Sequence, residues 1–291
     1  MQPNRYGPFK FIPINQRPKQ SLPGGARIAV WVAPNVESFA LDERAPGFGP
    51  KIPDVRQFST RDYGNRVGIY RLAETMKKYG IRGTVCLNSD VCLYFPQVVE
   101  HMLKLDWEIM GHNQTNSRLL NEIPAEKERE VVLHTVETIK KFIGKQPRGW
   151  LGSAMAETWN TLDYLAEAGI EWVGDWVNDD QPYMMDVKTK SGKQMVAMPY
   201  AGEINDLPAI NIGKASANEF GDMIRAQFDT LYREGAESAR VMCIALHPFV
   251  IAQPHRIGAL DSALEYICRH SGVWLATGSE IVDNFLNDKP F

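Results

Sequence analysis

No apolar run in the sequence is long enough to cross a bilayer. The longest, Ile28 to Pro34 and Val241 to Leu246, are strand length, far short of the ~20 residues a spanning helix needs. Neither sign of charge dominates. The chain has 32 Lys and Arg against 35 Asp and Glu, a net charge of −3, so no broad basic field invites nucleic acid or an anionic membrane. Cysteine is scarce: Cys86, Cys92, Cys243 and Cys268 are scattered with no Cys-x-x-Cys spacing, so reduced thiols in a cytoplasmic protein are expected. The first 25 residues carry five prolines and no apolar core segment, which reads as neither a secretory signal nor a transit peptide, and export is not expected. Gly-x-Gly-x-x-Gly and Gly-Lys-Ser/Thr turns are also missing, which removes the main signatures of dinucleotide and nucleoside-triphosphate folds.

What is present is an apolar fraction of 44 % over 291 residues, ample for a core, arranged as short strands alternating with amphipathic helices. Residues 1–25 predict an extended arm, because each proline bars regular helix, and such an arm is expected to pack on a neighbouring subunit of a homo-oligomer, most simply a tetramer. From there the pattern predicts strands at 27–32, 83–87, 108–110, 148–151, 171–173, 241–246 and 273–276. Helices are predicted at 63–79, 96–105, 125–142, 158–168, 217–233, 258–269 and 280–287. A polar insertion, Asn178 to Asn211, reads as loops around extended pieces at 194–199 and 207–210. Six or seven βα units without a linker predict one α/β domain over 26–291, a closed and distorted (β/α)7-type barrel.

Chemistry in such barrels sits where strands end. Four predicted strand ends carry polar residues: Asn35-Val36-Glu37 after the first, Gly111-His112 through Asn116 after the third, Asp175 through Asp180 after the fifth, and His247-Pro248 after the apolar run 241–246. Each taken alone has an ordinary explanation as a loop cap; four on one rim indicate a site.

These runs, with Pro147-Arg148-Gly149-Trp150, occur in the order and spacing of the motifs of the polysaccharide deacetylase (NodB homology) superfamily. RDYGNRVG (61–68), DWVNDDQPY (175–183) and HRIGALDSALEYI (255–267) resemble its branch of allantoinase-like and cyclic imide hydrolases and intracellular peptidoglycan-deacetylase-like proteins. The resemblance covers residues 26–287 and implies hydrolysis of a non-peptide amide C–N bond. It also implies roles. The first motif would supply an aspartate base and an aspartate metal ligand where this chain has Asn35 and Glu37; the second would supply two metal-binding histidines where it has His112 and Asn116. An amide cannot serve as a base, so Glu37 is the candidate base or ligand. If a divalent ion, zinc first, is bound, Glu37 and His112 are its expected anchors with Asn116 third, although a neutral amide oxygen is a poor zinc ligand. Without a metal, Glu37 and His112 would act as an acid–base couple, with Asn35 and Asn116 donating to the oxyanion. His247 matches the superfamily's general acid and Arg148 its basic orienting residue, which here would pair with Glu37 or bind substrate. Trp150 reads as pocket wall or core. Asp175, Asp179, Asp180, Glu203 and Asn205 read as substrate-binding groups or loop caps, and His255 with Arg256 as anion recognition or a helix start. The expected activity is that of a cytoplasmic hydrolase of a small cyclic amide such as allantoin, a hydantoin or a cyclic imide. The alternatives are an intracellular N-deacetylase of sugar-type substrates and an inactive barrel that only binds.

Overall fold

The computed structural model describes residues 5–288 and 290–291. β1 (Ile28–Val36) is buried along its whole length, as its unbroken apolar sequence requires of a strand covered on both faces. A loop leads to α1 (Val55–Tyr63), a π-helical turn (Gly64–Gly68) and α2 (Ile69–Lys77). Next come β2 (Thr84–Leu87), α3 (Ser89–Tyr94), α4 (Pro96–Lys104), β3 (Glu108–Gly111) and α5 (Ala125–Ile143). α5 carries Glu126 and Glu128 in its first turn and Lys140 and Lys141 in its last, matching its dipole, and stops at Gly144, whose φ of 74° favours glycine. β4 (Gly149–Trp150), α6 (Thr161–Ala168), β5 (Trp172–Val173), β6 (Tyr183–Lys188) and β7 (Gln194–Ala197) follow. The chain closes with α7 (Ala217–Glu234), β8 (Arg240–Leu246), α8 (Ile257–Cys268), β9 (Val273–Leu275) and α9 (Gly278–Asn287). Capping boxes at Ser216/Glu219 and Thr277/Glu280 start α7 and α9.

The sheet runs β6-β7-β5-β4-β3-β2-β1-β8, with β9 beside the start of β1; β6 alone is antiparallel, which leaves seven parallel strands on the main path. It curls into an open half-barrel with helices around it rather than the closed barrel expected. On the far side, segments of the 178–211 insertion reach β8: Val241 N donates to Asp180 O, and Asn205 bridges Ala245.

Two local expectations change. The piece 207–210 is not extended but lies in a π-helical turn, Leu207–Ile212, started by Pro208. The insertion also holds β6, which pairs with β7 as a hairpin and alternates buried and less buried residues. The described part of the N-terminal arm, from Arg5, has no regular structure apart from two short 3₁₀ turns, and it docks on its own chain. Asp186 N donates to Pro8 O, Phe9 is buried edge-on against Trp176 and Tyr183, and Arg17 clasps Asp179 with both terminal nitrogens. The arm therefore needs no second subunit to bury its anchor.

Candidate active site

Strand register gathers the chemistry. Val36 pairs with Leu87, Leu87 with Gly111, and Gly111 with Trp150, so the next residues, Glu37, Asn88, His112 and Leu151, emerge at one level of the sheet. On the other flank of β1, Pro34 pairs with Leu246, which brings out His247 on the same rim. Gly64 and Gly68 let the π turn press onto the Pro248 loop: a Cβ on Gly68 would lie 2.2 Å from Pro248 O. That close approach carries Asn65 and Arg61 to the rim.

The centre is Glu37. Its Oε1 lies 3.7 Å from His112 Nε2, 3.6 Å from His247 Nε2 and 2.5 Å from Asn116 Nδ2, and Asn65 donates to its carbonyl oxygen. Each neighbour is fixed from behind. His112 Nδ1 donates to Leu151 O at 2.7 Å, leaving a buried Nε2 without a hydrogen-bond partner aimed at Glu37. His247 Nδ1 donates to Asp206 at 2.8 Å, and the same carboxylate accepts from the backbone N–H groups of His247 and Ile251. Burial disfavours charge on His247, but the carboxylates of Glu37 and Asp206 outweigh it and push its pKa up to about 10. Burial would likewise raise the Glu37 carboxyl, yet the charge on His247, with both imidazoles turned toward it, holds it at about 2. Glu37 and His247 form an ion pair ready to give and take protons.

Asn116 is oriented by a relay. The Ser38 backbone N–H donates to Asn88 Oδ1, so Asn88 Nδ2 donates to Asn116 Oδ1, which also accepts from Ser153 Oγ. The amide nitrogen of Asn116 is thereby turned to Glu37. Zinc sites take three lone-pair ligands from protein, and here the position beside Glu37 and His112 presents an amide N–H₂. Among the described residues no group of three or more His, Cys, Asp or Glu is arranged to hold an ion. The residues present do not fit the metal that the resemblance implied, and Asn116 is a donor rather than its third ligand.

Glu37, His112, Asn116 and His247 face a half-open cavity of about 330 Å³, lined also by Asn35, Arg61, Tyr200, Asn205 and an apolar wall that includes Phe39, Leu119, Met155, Leu207 and Phe249. Other candidates lie elsewhere. Asn35 lines the cavity, but its amide nitrogen is taken by Tyr200 Oη, Ala33 O and Leu246 O, so it cannot serve an oxyanion. Arg148 precedes β4, at the strand end away from the rim, where Glu171 and Asp283 hold it; it does not pair with Glu37. Trp150 is fully buried core beneath the rim, not pocket wall. Asp175 accepts from Gly152 N and supports the loop that does line the cavity. Asp179 is spent on Arg17, while Asp180 and Glu203 border a neighbouring, open depression. His255 is exposed, and Arg256 donates to Val250 O. Two groups carry more than the sequence suggested. Asp206, like Tyr200 a candidate substrate-binding or loop-capping group of the insertion, instead supports His247; that role was invisible because the Asn205–Ala245 bridge, a long-range pairing, puts it under His247. Arg61 lay inside a quoted motif, and the glycines four apart at 64 and 68 were the hint that its helix comes close.

A model of the polysaccharide deacetylase family matches residues 56–173. A candidate polysaccharide deacetylase of Schizosaccharomyces pombe is 29 % identical over 287 residues, covering 92 % of this chain and 88 % of its own. A crystal structure of another such candidate, from Pseudomonas aeruginosa PAO1, superposes with a TM-score of 0.85 at 26 % identity, over 95 % of this chain and 97 % of that one. The crystal structure of PuuE allantoinase gives 0.83 at 26 % identity, over 94 % and 95 %. Residues 56–173 thus carry a match to the polysaccharide deacetylase family, within a fold shared with these structures along most of the chain. Deacetylases of that family hydrolyse carbon–nitrogen bonds other than peptide bonds.

Proposed function

We propose that this protein opens the ring of a small cyclic amide of the allantoin, hydantoin or cyclic imide type. The observation that carries the reading is the small, largely apolar cavity of about 330 Å³ over the Glu37–His247 pair. It stands at the low end of the roughly 300–1,000 Å³ of small-molecule sites and is walled by aromatic and aliphatic side chains. Glu37 takes a proton from water as the water oxygen adds to the ring carbonyl carbon. The C–N bond then breaks as His247 gives its Nε2 proton to the leaving nitrogen, yielding a carboxylic acid and a free N–H. Each transfer eases the other, because a His247 that has lost its charge no longer holds the Glu37 carboxyl down. Asn116 keeps the Glu37 carboxylate aimed. The four cysteines, all free, support a cytoplasmic setting.

N-deacetylation of a sugar is the second reading, favoured by the names of the relatives and by its identical acyl chemistry. A turnover screen of purified protein against ring amides and N-acetylated sugars decides between them. Ring opening with no acetate release supports our reading, and acetate release from oligosaccharides alone overturns it.

A further inference from the structure

Around the cavity every charged group but one has a partner. Glu37 has His247, and His247 has Asp206. Arg61, also lining the cavity, makes no ion pair with any described residue; the carboxylates that act on it, Glu37 and Asp54, do so only through space. Its Nη1 is held by Gln57, through the backbone oxygen at 3.2 Å and Oε1 at 2.8 Å, one helical turn earlier. The guanidinium is flanked by the rings of Phe48, Phe39 and Phe249 at 4.6, 4.9 and 5.7 Å, and its Nε is buried with no acceptor. Aromatic faces offset part of the cost of removing a cation from water but offer no hydrogen-bond acceptor of carboxylate strength. A rigidly held, unpaired cation beside a reacting pair is a receptor whose counter-ion arrives with the substrate.

We propose that Arg61 determines specificity by binding a carboxylate on the substrate, so that the preferred ring amide is an anionic one. This rests on the ring-amide reading. The charge also has a positional logic: Arg61 lies over Phe249, whose ring also contacts His247, so an anionic substituent held there fixes the ring beside the reacting pair.

The test compares matched ring amides, dihydrouracil with its 6-carboxylate and hydantoin with hydantoin-5-acetate, on wild type, Arg61→Met and Arg61→Lys. Wild type should favour the carboxylated member of a pair, and Arg61→Met should erase at least about 30-fold of that preference. Arg61→Lys, which keeps the charge but not the planar fork, should fall between and covers the case in which the methionine variant misfolds. Equal turnover of both members by wild type, or an unchanged preference in both variants, overturns the proposal. Calorimetric binding of the same carboxylates is read alongside. If no ring amide is turned over, the ring-amide reading fails, but the carboxylates binding wild type at least tenfold more tightly than Arg61→Met still supports the role of Arg61. Equal binding overturns it.

Discussion

His247 Nδ1 and Asp206 Oδ1 are 2.8 Å apart, and neither side chain reaches solvent to a significant extent. Asp206 fixes the tautomer, turns Nε2 toward Glu37 and sustains the imidazolium with its charge. The alkaline limb of kcat/KM should therefore report His247 near pH 10, where the acid is lost. Asp206→Asn keeps a side-chain acceptor but removes the charge, so the limb should move to lower pH. A pH–rate profile of the variant that superposes on the wild type's would show that Asp206 does not support the acid.

His247→Ala should lower kcat by about 10²–10⁴-fold, the usual worth of general acid–base help. The fold should survive, since the ring sits at the rim and its loop is also held by Asp206 through the Ile251 backbone. Stopped turnover with an unchanged far-ultraviolet spectrum and cooperative melting is the expected result. A variant retaining more than half of wild-type kcat would leave His247 with a structural role only.

Most strands and helices were legible because buried parallel strands write themselves as unbroken apolar runs, as 28–33 and 241–246 do. The same logic placed Glu37, His112 and His247 on one rim, since residues just after parallel strands share a level. What was not legible depended on contacts distant in sequence. Asn116 occupies a ligand position by alignment, yet its orientation is dictated by Ser38 and Asn88. Arg148 stands in a motif, but β4 is only two residues long and Arg148 falls at its opposite end, within reach of Glu171 and Asp283. The arm's destination was hidden for a similar reason: the β6–β7 hairpin that receives Phe9 lay within a stretch read as loop.

Turned toward Glu37 by that relay, the Asn116 amide nitrogen predicts how the protein responds to metal. Wild type dialysed against EDTA and verified metal-free should keep its activity. Asn116→His should create a third lone-pair ligand beside Glu37 and His112 and bind zinc measurably more tightly than wild type. Stoichiometric zinc in wild type, with activity lost to EDTA and restored by zinc, would overturn the orientation assigned to Asn116.

Glu157 and Asp175 face each other behind the Gly152–Met155 wall, with Glu157 Oε1 and Asp175 Oδ2 buried and unpaired. Burial raises both carboxyls, and the Asp175 charge adds to the effect on Glu157, whose pKa is pushed up to about 9. An acid whose folded pKa exceeds its unfolded value stabilises the fold fully below the unfolded value, near 4.5, and ever less as pH rises toward the folded one. Wild type should thus lose thermal stability between pH 5 and about 9, while Glu157→Gln, which imitates the protonated form, should lose less over the same interval. Melting temperatures measured across that range check the sign. If wild type and variant decline in parallel, Glu157 is ionised in the folded protein and burial does not hold its proton.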